Sequence, residues 1–318
     1  MTSLTSAQTV QLGPAGPTVP ALGIGTWAWG DSLFWQYGKD YGEEEVRQAF
    51  QAAIAAGVNF FDTAEVYGLG KSETLLGRFM QEQDQPVSVA TKYFPVPWRF
   101  SARSVAQALS ASLDRLQVTS IALYQIHWPF SFFLSQRSLM QALAQEVQKG
   151  RIQAVGVSNY SAAQMRAAHR FLADQGVPLA VNQMQYSLLH RNIETNGVLA
   201  AARDLGVTIL AYSPLAQGLL TGKYTADAPK QPTGARSLSP KFQASYLRRI
   251  EPLIQAMTDI GAKYDRTPAQ VALNWLIAQG NLVPIPGAKN AKQAAQNAGA
   301  LGWQLSPAEV AHLAQILV

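Results

Sequence analysis

Eight short runs rich in β-branched residues recur along this chain. They begin near Ala21 (ALGIG), Asn59 (NFFDT), Val87 (VSVATK), Ile121 (IALYQIH), Ile152 (IQAVGVS), Leu179 (LAVNQ), Val207 (VTILAYS) and Leu282 (LVPIP). Runs this short and this apolar read as strands buried on both faces of a parallel sheet. Most intervals are roughly 30 residues, the length of one strand-plus-helix unit. Helical patterns fill them: EEEVRQAFQAAIAAG ends at Gly57, while SVAQALSASLDRL and SAAQMRAAHRFLADQG each open on a serine that can cap. TPAQVALNWLIAQG opens on Thr267, puts Pro268 in the first helical place and stops at Gly280. Eight strands alternating with eight helices predict an α/β fold, a single-domain (β/α)8 barrel spanning residues 1–318. The segment QTVQLGPAGPTVPAL, with its Gly-Pro turns, predicts an N-terminal β-hairpin closing the barrel floor. The interval from Val207 to Leu282 is much longer than the others and predicts a long excursion after the seventh strand.

Composition removes several alternatives. The chain has no cysteine, which excludes disulfides, thiolate metal sites and cysteine nucleophiles. Its four histidines (His127, His169, His190, His312) are too dispersed in sequence to suggest a local metal clamp, so no metal is expected. No apolar run approaches the roughly 20 residues of a membrane span. MTSLTSAQTV carries neither the basic nor the apolar stretch of a signal peptide. A cytoplasmic protein without a membrane partner is therefore expected. The formal charge is +5, which raises the question of nucleic acid. Between Lys223 and Arg249, however, six basic residues (Lys223, Lys230, Arg236, Lys241, Arg248, Arg249) face the single acid Asp227, so the whole excess lies in one segment. No nucleic-acid motif accompanies it. The segment reads either as a solvated basic loop or as one lying beside a phosphate-bearing small molecule.

Gly23, Gly25 and Ala28 satisfy G-x-G-x-x-G/A, the dinucleotide fingerprint. Trp27, Trp29 and Gly30 stand where a helix should open, and the acids that follow (Glu43, Glu44, Glu45) begin a helix instead of ending a second strand. A Rossmann half-domain is not expected.

In a barrel of this kind, reacting groups sit at the carboxyl ends of the strands. Asp62 follows NFF, Tyr67 comes five residues later, Lys92 follows VSVAT and His127 follows ALYQI. Each alone has an ordinary explanation: a helix cap, a solvated cation, a core histidine. On successive strands they converge on one rim. A phenol with a pKa near 10 is a poor donor at neutral pH, and a neighbouring ammonium is expected to lower it. Lys92 can do this to Tyr67, Asp62 can hold Lys92, and His127 can orient a substrate carbonyl. These side chains move protons only, so a source of hydride or another electrophile is missing.

The chain resembles the aldo-keto reductases over nearly its whole length. The shared runs are GIGTWAWG, FFDTAEVYG, SETLLGRF, VATK, SLDRLQVTSIALYQIHWP, GRIQAVGVSNY, NQMQYS, ILAYSPLAQGLLTGKY and IPGAKN. The resemblance implies a (β/α)8 barrel that binds a nicotinamide cofactor without a Rossmann fold and reduces an aldehyde or ketone. Its Asp-Tyr-Lys-His tetrad carries over onto Asp62, Tyr67, Lys92 and His127, with the tyrosine as general acid. By the same resemblance, Thr26 and Trp27 lie beside the nicotinamide ribose, Asp62 borders the cofactor, and Ser158, Asn159 and Gln183 bind the carboxamide. Tyr212 is the aromatic on which the nicotinamide stacks. Ser213, Pro214, Leu215, Gln217 and Gly218 form the loop over the pyrophosphate, with Lys223 reaching toward phosphate. Gly287, Lys289, Gln293 and Asn297 mark the adenosine end. Where many members carry an arginine for the 2′-phosphate this chain has Gln293, leaving Lys289 as the nearest cation. NADPH (NADP+) is the implied cofactor, with NADH weaker. A monomer is expected, with self-association left open.

A narrower resemblance, in GTWAWG, VPWR, PTGARSL, TPAQVALNW and VPIPGAKN, is to plant and cyanobacterial-type members that include pyridoxal reductases. It implies a small aromatic or aliphatic aldehyde as substrate. Five of seven tryptophans lie in the first 130 residues. Either they pack loops, or they form an aromatic cup of Trp27, Trp29, Tyr67, Tyr93, Trp98, His127 and Trp128 around a flat substrate, with Trp35, Phe94 and Phe130 nearby. Two other functions use the same residues. One is a cofactor-sensing regulatory subunit, which an extended N-terminal segment would favour; the other is a Schiff-base aldolase built on Lys92.

Overall fold

The computed structural model describes residues 8–227 and 232–316 of the chain. Lys230 of the basic segment and the first seven residues, read above for a leader, lie outside them. Eight parallel strands follow one another in sequence order around a single sheet: β3 (Ile24–Gly25), β4 (Phe60–Asp62), β5 (Ser88–Tyr93), β6 (Ile121–Ile126), β7 (Ile152–Ser158), β8 (Leu179–Gln185), β9 (Thr208–Tyr212) and β10 (Leu282–Pro284). The first and last strands meet, with the Gly23 amide donating to the Pro284 carbonyl and Gly25 to Pro286, both at 3.0 Å. That contact explains the glycines of the false fingerprint. A Cβ on Gly25 would stand 2.9 Å from the Ile285 carbonyl oxygen, and one on Gly23 would strike the Phe60 ring. They are glycines so that the barrel can close.

Preceding the barrel, β1 (Thr9–Gln11) and β2 (Thr18–Pro20) pair antiparallel with Val10 opposite Val19. Leu12 and Val19 join the barrel's interior cluster, and the Gly13 amide donates to the Thr208 hydroxyl at 2.9 Å, so the hairpin seals the floor as the sequence predicts. Outside the strands lie α1 (Glu43–Ala55), α2 (Lys71–Gln81), α3 (Ala102–Leu116), α4 (Gln136–Gln148), α5 (Ala162–Ala173) and α6 (Val198–Leu205). The excursion after β9 holds α7 (Ala244–Lys263) and leads into α8 (Pro268–Ile277); α9 (Ala291–Ala298) and α10 (Pro307–Gln315) follow β10. Ser161 and Thr267 cap α5 and α8 with reciprocal capping boxes. Helix α3 starts earlier than its sequence pattern suggested, at Ala102 after Ser101 in place of Ser104, because Ala102 and Arg103 are themselves good helix formers. Among the described residues, no helix is long and apolar enough to cross a membrane.

Strand alternation then decides what reaches the barrel mouth. Phe60, Ala90, Leu123, Ala154, Val181 and Leu210 fill one interior layer. Two residues further along each strand is the next inward position. Those positions hold Asp62, Lys92, Gln125, Gly156, Gln183 and Tyr212, and a register shift at Val155/Gly156 brings Ser158, one inward step beyond Gly156, level with Gln183. A polar ring therefore sits directly on an apolar plug.

Candidate active site

Lys92 is the centre of that ring. Its side chain is 0% exposed, yet its Nζ donates to Asp62 Oδ1 at 2.5 Å and to the Thr63 carbonyl at 2.7 Å, with the Tyr67 hydroxyl at 3.4 Å. Burial alone would strip its charge, but Asp62 and Tyr67 reverse the balance and raise its pKa. Held as an ammonium beside Asp62, Lys92 has no lone pair with which to form a Schiff base, which speaks against the aldolase reading. The other oxygen of Asp62 accepts from Gln125 Nε2 at 3.0 Å and from Gln183 Nε2 at 2.8 Å. Gln125 was not singled out from the sequence. Its signal was a buried amide within the apolar run IALYQIH, on the inward register of Leu123.

Tyr67 begins a turn that continues through Gly68, Leu69 and Gly70, all with positive φ. This sharp reversal lets the ring turn back over Lys92, whose Nζ lies 4.9 Å from its centroid. Here the structure corrects one expectation. Burial is the larger influence on the phenol and raises its pKa, while Lys92 only partly draws it down. Tyr67 thus keeps its proton well into the alkaline range. The His127 ring packs edge-on to Tyr67 at 5.7 Å. Burial, with help from Lys92, lowers its pKa to about 3, so the imidazole is neutral. Its Nδ1 is buried without a partner.

These groups open into a cleft of about 830 Å³ that runs over the barrel mouth. All the residues assigned by resemblance to cofactor binding border it, from Thr26 and Trp27 to Gln293 and Asn297. Thr26, however, turns its hydroxyl away, bonding Ser72 Oγ at 2.8 Å and the Asp62 carbonyl at 3.1 Å. Asn159 donates to the His127 carbonyl and to Ser158 Oγ, and accepts from the Tyr212 hydroxyl at 3.0 Å. Gln183 Nε2 donates to both Asp62 and Gln125, which leaves its Oε1 as the atom able to accept. Left-handed backbone at Ser213, Ala216 and Gln217 folds the loop after β9 tightly against the cleft.

The far arm of the cleft is cationic. Lys223, Arg236, Lys289 and Lys292 border it. Arg236 is only 8% exposed, and its buried Nε has no partner. The Arg236 guanidinium and the Lys289 ammonium both stack on the Trp35 ring, at 4.7 and 4.9 Å. Burial first, then Arg236, lowers the Lys289 pKa to about 8. Asp40 and Asp31 pull the Lys289 pKa upward, but among the described residues none of the four cations forms an ion pair. Sequence reasoning counted Arg236 as net charge and passed over its place in the site. The other described bases of the segment, Lys241, Arg248 and Arg249, are solvent-exposed.

The aromatic cup is only partly assembled. Trp27, Tyr67, His127 and Trp128 border the cleft. Trp29 does not: it is fully buried, and its indole N–H donates to the Ala288 carbonyl at 2.8 Å. Tyr93 is also core, beneath the Arg99 guanidinium, because its strand register points it out of the barrel into the helix layer. Trp98 lies beyond the cleft at 72% exposure.

Comparison with known proteins agrees with this architecture. The family model described as the aldo/keto reductase family matches residues 21–318. Pyridoxal reductase, chloroplastic, of Arabidopsis thaliana is 41% identical over 311 residues, covering 94% of this chain and 83% of that protein. Among solved structures, a glycerol dehydrogenase from Gluconobacter oxydans superposes with a TM-score of 0.85 at 28% identity, covering 98% of this chain and 95% of that one. An aldo-keto reductase from Klebsiella pneumoniae in complex with NADPH gives 0.75 at 27% identity, covering 97% and 94%. This chain belongs to the aldo/keto reductase family.

Proposed function

We propose that the protein reduces an aldehyde or ketone to the alcohol with NADPH, Tyr67 acting as general acid, and that pyridoxal is among its substrates. The observation that carries this reading is the continuity of one cleft. A proton-donating centre, Asp62–Lys92–Tyr67 with His127, opens directly onto an arm lined by cations that form no ion pair among the described residues. The donor set fits a dinucleotide. Acceptor atoms of Ser158 and Gln183 suit a carboxamide N–H, Tyr212 offers an aromatic face, and Lys223, Arg236 and Lys289 suit phosphates. Asn159 would have to release its donor from Ser158 or the His127 carbonyl to meet the carboxamide oxygen. A bound reduced nicotinamide supplies the hydride that the carbonyl carbon needs. This chain's residues supply the rest. Neutral His127 orients the carbonyl oxygen, Tyr67 delivers the proton to it, and Lys92, held by Asp62, stabilises the phenolate left behind. The similarity to a pyridoxal reductase supports a flat aldehyde. Steady-state NADPH oxidation with an aldehyde panel including pyridoxal tests the proposal. Alcohol should form in equal amount to NADPH consumed, and no turnover with any carbonyl would overturn it.

Two further results are expected. His127 is neutral above about pH 3 and Tyr67 stays protonated beyond its ordinary range. At saturating NADPH the rate of reduction should therefore be flat from about pH 5 to about pH 9 and fall only as Tyr67 ionises. A bell with a limb near pH 6.5, the ordinary histidine value, would show His127 titrating as a working acid or base. The second concerns cofactor choice. Lys289→Ala should weaken NADPH by about 10- to 150-fold and barely change NADH, as loss of one charge-assisted contact implies. In the wild type, NADPH binding should also weaken above about pH 8, where Lys289 loses its charge. Fluorescence titration of both cofactors reads both effects. Equal weakening by the substitution would assign Lys289 to the shared part of the dinucleotide.

A further inference from the structure

The turn that presents Tyr67 is strained. Gly68, Leu69 and Gly70 have φ of 56°, 55° and 90°, and Leu69 adopts this left-handed backbone without being a glycine. Its side chain is 96% exposed, so its own packing does not offset the cost. Such backbone persists where the surroundings determine it. Two contacts do so here. A Cβ on Gly68 would stand 2.7 Å from the Gly30 carbonyl oxygen, so one side of the turn rests on the loop after β3. A Cβ on Gly70 would stand 2.8 Å from Cδ and 3.0 Å from Nε of Arg115, so the other side is backed by the last turn of α3.

Arg115 is held in turn by a buried carboxylate. Glu73, in the first turn of α2, is 0% exposed, and its Oε2 accepts from Arg115 Nε at 2.7 Å with Nη2 at 2.6 Å. Its Oε1 accepts from the Thr91 hydroxyl at 2.5 Å. Thr91 precedes Lys92 on β5, so it faces the helix layer while Lys92 faces the barrel mouth. One carboxylate therefore grips both the strand that carries Lys92 and the guanidinium behind the turn that carries Tyr67. A buried ion pair adds little stability that apolar side chains of similar volume could not supply. What a guanidinium and a carboxylate fix is mutual orientation. The contact at stake is that of Lys92 Nζ with the Tyr67 hydroxyl, at 3.4 Å the longest of its three. A small retreat of the turn would break it.

We propose that Glu73 and Arg115 are positioning residues for the reduction, joined between α2 and α3 so that the Tyr67 hydroxyl stays within reach of Lys92. This rests on the reductase reading above. Neither residue borders the cleft. The charged and titratable groups facing the phenol are Lys92, Asp62, His127 and Tyr212, and the variants of the pair alter none of them.

The test replaces the pair by apolar side chains, Glu73→Leu together with Arg115→Met. This leaves no unpaired buried charge and should keep the urea midpoint near that of the parent. With saturating NADPH and pyridoxal, kcat should fall by about 10- to 100-fold while KM and NADPH affinity change by less than about twofold. The alkaline limb of kcat should move up in pH, because the phenol loses part of the charge that lowers its pKa. Arg115→Lys keeps the charge without the planar fork and should lie between parent and double variant. Glu73→Gln, isosteric and uncharged, should show the same changes at smaller size and is read in their place if the double variant does not fold. Tyrosine labelled with carbon-13 at Cζ gives a reading that needs no turnover, with Tyr67→Phe identifying the Tyr67 signal. At neutral pH that signal should move toward its position in Lys92→Met. A folded variant with parental kcat, or a loss of kcat with the limb and the Tyr67 signal unmoved, would overturn the positioning role. Failure of the wild type to reduce pyridoxal or benzaldehyde would instead overturn the reductase reading, and the Tyr67 signal would still decide the positioning role.

Discussion

Tyr67→Phe should slow carbonyl reduction by about 10²–10⁴-fold, the usual cost of losing a general acid, while leaving cofactor affinity nearly unchanged. The substitution deletes one oxygen whose side-chain hydrogen bond among the described residues is the long one from Lys92 Nζ at 3.4 Å. The ring, its packing on His127 and its tilted contact with Trp27 at 6.3 Å all remain. The fold is untouched because the turn through Gly68, Leu69 and Gly70 depends on backbone conformation and not on the hydroxyl. Turnover and cofactor titration on one preparation separate the two effects. Near-normal turnover would remove Tyr67 from the chemistry, and loss of both activities together would make its role structural.

Lys92→Met should act on two properties at once. The ammonium is wholly buried, and its partner Asp62 is almost as deeply enclosed, so removing one ion leaves the other without its counter-charge. Breaking a buried pair this way costs about 3–5 kcal/mol of stability. Gln125 and Gln183 still donate to Asp62, which places the loss toward the lower end. Catalysis should fall as well, because Lys92 is the one group drawing the Tyr67 pKa downward against burial. Without it the phenol becomes a still weaker acid, and the alkaline limb of the rate profile moves further up in pH. Urea denaturation and a pH–rate profile check the two halves. A variant as stable as the parent and equally active would show that the pair is not coupled to the proton transfer.

The barrel was legible because it rests on periodic information. The strand runs, the caps at Ser161 and Thr267 and the hairpin turns all follow from local residue chemistry. The reacting groups were legible for the same reason, since Asp62, Lys92 and His127 interrupt apolar runs at strand ends. What stayed hidden depends on register or on distance in the chain. Trp29 and Tyr93 are close to the chemistry in sequence, but alternation and backbone direction turn them into the helix layer. Arg236 comes from an excursion far from Trp35 and Lys289, and only tertiary folding stacks the three together. The direction of the Tyr67 pKa shift was likewise beyond the sequence. A nearby ammonium can be read from a motif, but the larger burial effect that opposes it cannot.

The most direct measurement follows the label from NADPH deuterated at the transferring position of its nicotinamide into the product of pyridoxal or benzaldehyde reduction. Direct transfer over the Asp62–Lys92–Tyr67 centre should leave deuterium on the alcohol carbon, with the hydroxyl proton drawn from solvent through Tyr67. Alcohol formed without the label, or label found in the solvent water, would contradict it.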